Sequence, residues 1–88
     1  MKLLILGDVM GASGREVLKK KLPQIITTNT VDFVIVNGEN AADDGRGITQ
    51  LIAKEFFSTG VDVITSGNHI WDKQETSDYI DKENRLLR

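Results

Sequence analysis

Apolar residues in this chain gather into three short runs, each of which passes into a glycine beside a polar side chain. Leu3-Leu4-Ile5-Leu6 leads into Gly7-Asp8, Phe33-Val34-Ile35-Val36 into Asn37-Gly38-Glu39-Asn40, and Val61-Asp62-Val63-Ile64-Thr65-Ser66 into Gly67-Asn68-His69. Runs of this length, rich in Val and Ile and not alternating, predict strands buried on both faces, as in a parallel sheet covered by helices. Between them the spacing turns helical. Val17, Leu18 and Leu22 share one side of a stretch whose other side carries Arg15, Lys19, Lys20 and Lys21. Ser13, with Glu16 three residues on, has the spacing of a capping box at its start. Pro23 predicts a break or kink there, then a second short helical stretch over residues 24–28. Thr49 is placed to cap a further helix bearing Leu51, Ile52, Phe56 and Phe57, and Gly60 fits its stop position. A last helix, polar apart from Tyr79 and Ile80, is predicted from Asp72-Lys73-Gln74-Glu75 onward. Segment 9–14, with its two glycines, and the glycine- and aspartate-rich segment 41–47 read as loops. The order βαβαβα makes this an α/β fold with right-handed crossovers.

The polar residues that end the runs recur about every thirty residues, close to the length of one βαβ unit. In a parallel sheet all carboxyl ends lie on one rim, where open α/β sheets place their ligands. Asp8, Glu39, Asn40, Asn68 and His69 are therefore expected to converge. Four are hard oxygen donors, and His69 adds a nitrogen donor or a proton source. Adjacent strands lie about 4.8 Å apart, so side chains at neighbouring carboxyl ends can reach one ion or a close ion pair. Mixed oxygen and nitrogen ligands suit manganese, iron, magnesium or zinc. Taken singly, each residue also has a local reading. Asp8 can cap its loop, Asn40 and Asn68 can make Asx turns, and His69 can be a packed or surface histidine. The repetition at three strand ends favours the shared site, and carboxylates that face one another need a cation to be tolerated.

Composition narrows the field. The chain has 88 residues, a net charge of −2 and no cysteine. Mixed charge of this size gives no electrostatic case for double-stranded nucleic acid or an anionic membrane, and the Lys19-Lys20-Lys21 run reads as a solvated helix face. Without cysteine there is no disulfide framework or thiolate chemistry. The opening apolar stretch stops at Gly7-Asp8, too short for a signal-peptide core, and no segment is long enough to span a bilayer. The reading is a soluble, cytoplasmic protein. Gly7, Gly11 and Gly14 match neither a dinucleotide fingerprint nor a Walker loop, although a helix start at Ser13-Gly14 would offer N–H groups to an anion. Trp71 reads either as a stacking surface or as packing for the last helix. Finally, 88 residues are few for this architecture. Three strands and their helices would leave both sheet edges open, which predicts a fragment or a unit completed by a partner, such as a homo-oligomer.

Gly7-Asp8-Val9-Met10-Gly11, Asn37-Gly38-Glu39-Asn40-Ala41 and Gly67-Asn68-His69-Ile70-Trp71-Asp72 together resemble motifs of the calcineurin-like metallophosphoesterases. Within them the chain looks most like the bacterial YmdB-like group of 2′,3′-cyclic-nucleotide phosphodiesterases, and the likeness runs through all 88 residues. The resemblance implies the N-terminal part of an αββα sandwich, with residues 1–88 a truncated portion of that domain. It implies a two-metal centre, iron or manganese, with magnesium or zinc as alternatives. Asp8 would hold the first metal with Asn40 beside it, Glu39 would bridge, Asn68 would hold the second, and His69 would donate a proton to the leaving oxygen. The substrate implied is a small phosphodiester or cyclic nucleotide. Two departures stand out. Asp8-Val9-Met10 replaces the Asp-x-His of much of the superfamily, a coordination that Asn40 takes up in this branch. The family draws further histidine ligands from its second half, whereas His69 is the only histidine here. The encoded centre is therefore half a site, expected to be inactive alone. The alternative is a non-catalytic, truncated or oligomerising α/β fragment.

Overall fold

The structure is a computed structural model and describes residues 1–42, 47–66 and 83–87. Strand β1 (Leu3–Asp8) is followed by helix α1 (Gly11–Asn29), β2 (Phe33–Asn37), α2 (Gln50–Thr59), β3 (Val63–Thr65) and a two-residue β4 (Leu86–Leu87). The strands form one parallel sheet in the order β1-β2-β3-β4. The α/β fold and the parallel sheet read from the apolar runs are both present. The fourth strand was not expected, because Leu86-Leu87 is too short to register as a run. The helix expected from Asp72 lies outside the described residues.

Each strand steps to the same side of its predecessor, so right-handed crossovers carry α1 and α2 to the same face of the sheet. On that face Val34, Val36, Ile64 and Leu86 join Leu18, Leu22, Ile52, Ala53 and Phe56 in the core, with Leu4 and Leu6 packed against it. The opposite face differs. Leu3 and Ile5 are 53% and 70% exposed, Leu87 is exposed, and Phe33, Ile35 and Val63 are half-buried. The expectation of strands buried on both faces is thus corrected. An unbroken apolar run records only that both faces are apolar, and the described helices cover one of them.

Helix α1 begins at Gly11, whose φ of 60° L side chains adopt only at a cost, and Met10 stands at the cap position without a side-chain cap bond. Ser13 therefore lies in the first turn and does not cap. The expected break at Pro23 is absent, since the helix runs on to Asn29. A proline inside a helix costs about 3 kcal/mol. That is offset by one continuous apolar side, Leu18 and Leu22 buried and Ile26 packed beside them. The helix ends where Thr30 turns left-handed at φ 52°. Helix α2 follows its signals more closely. The Thr49 hydroxyl accepts the Ile52 N–H at 3.2 Å, and Gly60 ends the helix at φ 126°. A Cβ at Gly60 would also lie 2.8 Å from Ile26 Cδ1, so glycine serves both the turn and the packing of the two helices. Leu51, expected on the apolar side, is 77% exposed, and Ala53 takes the buried position instead.

Candidate functional site

The carboxyl ends of β1 and β2 are tied into one rim. The ladder pairs Leu6 with Val36 and then Asp8 with Asn37, so Gly7 is an extra residue on β1, a bulge at the point where the chain leaves the sheet. Bulges re-aim the side chain that follows them. Here that residue is Asp8, whose Oδ2 accepts a hydrogen bond from Asn40 Nδ2 at 2.8 Å. The bond joins two of the expected site residues across 32 positions of sequence.

The segment 37–42 that carries Glu39 and Asn40 is held from several sides. Asn37 Oδ1 accepts the Glu39 N–H at 2.9 Å, an Asx turn, and the Ala41 N–H reaches the Gly38 carbonyl at 3.2 Å. The Val9 N–H donates to the Asn37 carbonyl at 3.1 Å, the Gly11 N–H to the Asn40 carbonyl at 2.9 Å, and the Gly38 N–H to the Thr65 carbonyl at 2.8 Å. From α1, Arg15 Nη1 donates to the Ala41 carbonyl at 2.7 Å. Ala41, Ala42 and Ile48 are buried, so the loop is plugged into the core on both sides of residues 43–46. Gly38 is required by packing. A Cβ there would stand 2.8 Å from Ile64 Cγ2 and 3.2 Å from Ile48 Cδ1.

Asp8, Glu39 and Asn40 therefore share the carboxyl rim, Asp8 exposed and the other two half-buried. Asn68 and His69 lie outside the described residues, as does Trp71; the last described strand before them, β3, ends at Thr65. Among the described residues no three His, Cys, Asp or Glu side chains gather closely enough to hold a metal. Asp8 and Asn40 are brought together and Glu39 is next to Asn40 in sequence; these two carboxylates and a carboxamide are all hard oxygen ligands and fit a hard or borderline cation. The anion site expected at Ser13-Gly14 is not formed as a helix start. The Gly11 and Gly14 N–H groups are already engaged by the carbonyls of Asn40 and Met10. A cavity of about 420 Å³ opens beside Asp8, walled by Leu6, Val9, Val17 and Leu18.

Two contributors were not apparent in the sequence. Asn37 makes an Asx turn, for which the Asn-Gly pair after a strand was the available signal. Arg15 was grouped with the solvated lysines. Its position one turn into the helix, where it reaches the Ala41 carbonyl, is what sets it apart. The lysines themselves behave as expected, exposed, with Lys19 paired to Glu55 at 2.8 Å and Lys20 beside Glu16 at 3.9 Å. The Glu55 carboxylate raises the pKa of Lys19, chiefly through that hydrogen bond and then through charge. Among the described residues no helix is long and apolar enough to cross a membrane.

Known proteins are similar to this chain in sequence and in fold. The model of the family described as YmdB-like protein matches residues 4–88. The chain is 44% identical over 88 residues to a 2′,3′-cyclic-nucleotide 2′-phosphodiesterase of Bacillus subtilis, covering 100% of this chain and 33% of that protein. It is 39% identical over 71 residues to a putative phosphatase/phosphodiesterase of Mycoplasma pneumoniae, covering 81% of this chain and 25% of that protein. The crystal structure of a novel phosphatase from Mycoplasma pneumoniae superposes with a TM-score of 0.93 at 34% identity, over 100% of this chain and 31% of that one. A hypothetical protein from Thermus thermophilus gives 0.88 at 35% identity, over 100% and 33%. The chain thus spans about a third or less of the length of these relatives. The sequence motifs, the parallel sheet and these likenesses agree: the chain belongs to the YmdB-like protein family.

Proposed function

We propose that this chain supplies part of the metal centre of a metal-dependent phosphodiesterase acting on 2′,3′-cyclic nucleotides. The observation that carries the reading is the bond between Asp8 and Asn40 at 2.8 Å, which brings hard oxygen donors of two different strand ends together, Asn40 following Glu39 in sequence. The likeness to a Bacillus subtilis 2′,3′-cyclic-nucleotide 2′-phosphodiesterase supports the substrate class. Asp8 and Asn40 would hold one ion, Glu39 would bridge to a second, and Asn68 would complete the part of the centre encoded here. Iron or manganese is the proposed metal, with magnesium or zinc as alternatives. Such ions neutralise phosphate charge and make water a nucleophile near neutral pH. The chain's own residues would set the geometry. The buried Ala41 and Ala42 fix the loop, the Asx turn of Asn37 aims Glu39, and His69 holds a proton for the departing alkoxide.

With one histidine in 88 residues, two coordination shells are not filled from this chain alone. The isolated chain should therefore bind metal weakly and turn over negligibly. The test is a chimera in which these 88 residues replace the matching segment of the Bacillus subtilis relative. Hydrolysis of 2′,3′-cyclic AMP by the chimera, with none by the isolated chain, is the expected result. In the chimera, Asp8→Ala and Glu39→Ala should strip metal and activity together. His69→Ala should keep the metal and lower turnover about 10²–10⁴-fold. A folded, metal-loaded chimera without activity would favour the non-catalytic alternative.

A further inference from the structure

We infer that Arg15 is a positioning residue for the site, holding the Glu39–Asn40 loop in the conformation that a cation requires. The inference rests on the metal reading above but adds a residue outside the proposed ligand set. Arg15 is half-buried one turn into α1, and its Nη1 donates to the Ala41 carbonyl at 2.7 Å across 26 positions of sequence. Ala41 directly follows Asn40, and one turn earlier on the same helix the Gly11 N–H donates to the Asn40 carbonyl at 2.9 Å. Consecutive carbonyls of the loop are thus gripped by the same helix end. The other restraints on the loop are backbone bonds from Val9, to Thr65 and with Gly47, the Asx turn of Asn37, and the bond of Asn40 to Asp8. Arg15 is the side chain that α1 contributes among the described contacts.

A bond from a charged donor to a carbonyl is stronger than a neutral one, and it grows stronger in partly buried surroundings. Fixing a ligand-bearing loop before the cation arrives removes an ordering cost from binding. A guanidinium so placed also puts a fixed positive charge one residue beyond the ligands. It therefore acts on the loop's conformation in the free chain, and the effect is readable without metal.

The experiment compares the chain with its Arg15→Ala and Arg15→Lys variants by two readouts. Amide hydrogen exchange without metal should show protection at Gly11 and Ala41 falling about tenfold to a hundredfold in Arg15→Ala, the range for losing a charge-assisted bond. Leu22, Val36 and Ile64 should keep theirs. Mn²⁺ affinity, read from paramagnetic broadening, should fall by a similar factor, and Arg15→Lys, which keeps the charge and one donor, should recover part of both. Unchanged exchange at Gly11 and Ala41 would overturn the inference, as would a uniform loss across the sheet. Selective loosening of the loop with undiminished Mn²⁺ affinity would overturn it too. If the unsubstituted chain showed no Mn²⁺ effect at Asp8 or Asn40, the metal reading would fail. The positioning role would fail with it, even where the exchange data show Arg15 anchoring the loop.

Discussion

The two faces of the sheet are built from the same kinds of residue and have opposite environments. Toward the helices, Val36 and Ile64 are fully buried; on the other side, Ile5 is 70% exposed on a strand whose next residue, Leu6, packs against the core. Alternate residues of one apolar run thus contribute very differently to stability. The strand order explains why. With β1 to β3 laid down in sequence, the crossovers through α1 and α2 fall on one side, and nothing among the described elements reaches the other. The rim site is built on contacts of the covered side. Its loop is rooted in Ala41, Ala42 and Ile48, and Gly38 is pressed against Ile64.

The largest effect should come from matched truncations on the two faces. Ile64→Ala is expected to cost about 2–5 kcal/mol in urea unfolding, the usual range for emptying a buried isoleucine site. Ile5→Ala should cost less than about 0.5 kcal/mol, as for exposed positions generally. Equal losses would mean that the open face is covered in solution. Next is Gly38→Ala, which forces a methyl against Ile64 and Ile48 and should cost about 1–3 kcal/mol. Because the strain sits under the loop, exchange protection at Ala41 should fall in parallel; a neutral substitution would disconnect the site from the core. Capping gives a smaller contrast. Thr49→Ala should destabilise by about 1 kcal/mol through loss of the bond to the Ile52 N–H. Ser13→Ala, at a position that caps nothing, should stay within about 0.5 kcal/mol. The reverse ranking would restore the capping-box reading of α1.

The smallest effect concerns the exposed link between the helices of the covered side. Lys19 has its pKa raised by Glu55, so the stabilisation is fully present below its ordinary value of 10.5 and is lost as pH rises through the raised one. Coupling between Lys19→Ala and Glu55→Ala in a double-mutant cycle should be small at neutral pH. It should vanish in about 1 M salt, where the screening length is about 3 Å. Coupling that survived such salt would show the pair to be shielded from solvent.

What the sequence disclosed follows the same division. Strand positions and the shared sense of their carboxyl ends were legible, because uninterrupted Val, Ile and Leu runs with polar stops have few other solutions. Which face the helices would cover was not, since an apolar residue looks the same under a helix as in the open. Pro23 misled because local propensity was outweighed by the continuous packing of Leu18, Leu22 and Ile26. Ser13 misled because the capping-box spacing says nothing of Gly11, whose positive φ lets the helix start earlier. In the site, Asp8, Glu39 and Asn40 were named from their places after strands. The bulge at Gly7 and the grip of Arg15 on Ala41 depend on contacts about thirty residues away in sequence, beyond any local signal.

The central claim is that the joined carboxyl ends of β1 and β2 form a cation site. The most direct measurement adds substoichiometric Mn²⁺ to the isotope-labelled chain and follows paramagnetic broadening of its amide resonances, which detects even weak binding. The account predicts that Asp8, Glu39 and Asn40 broaden first, and that Asp8→Ala abolishes the effect at all three. Broadening centred on Glu16, Asp32 or Glu55, with the rim unaffected, would contradict it.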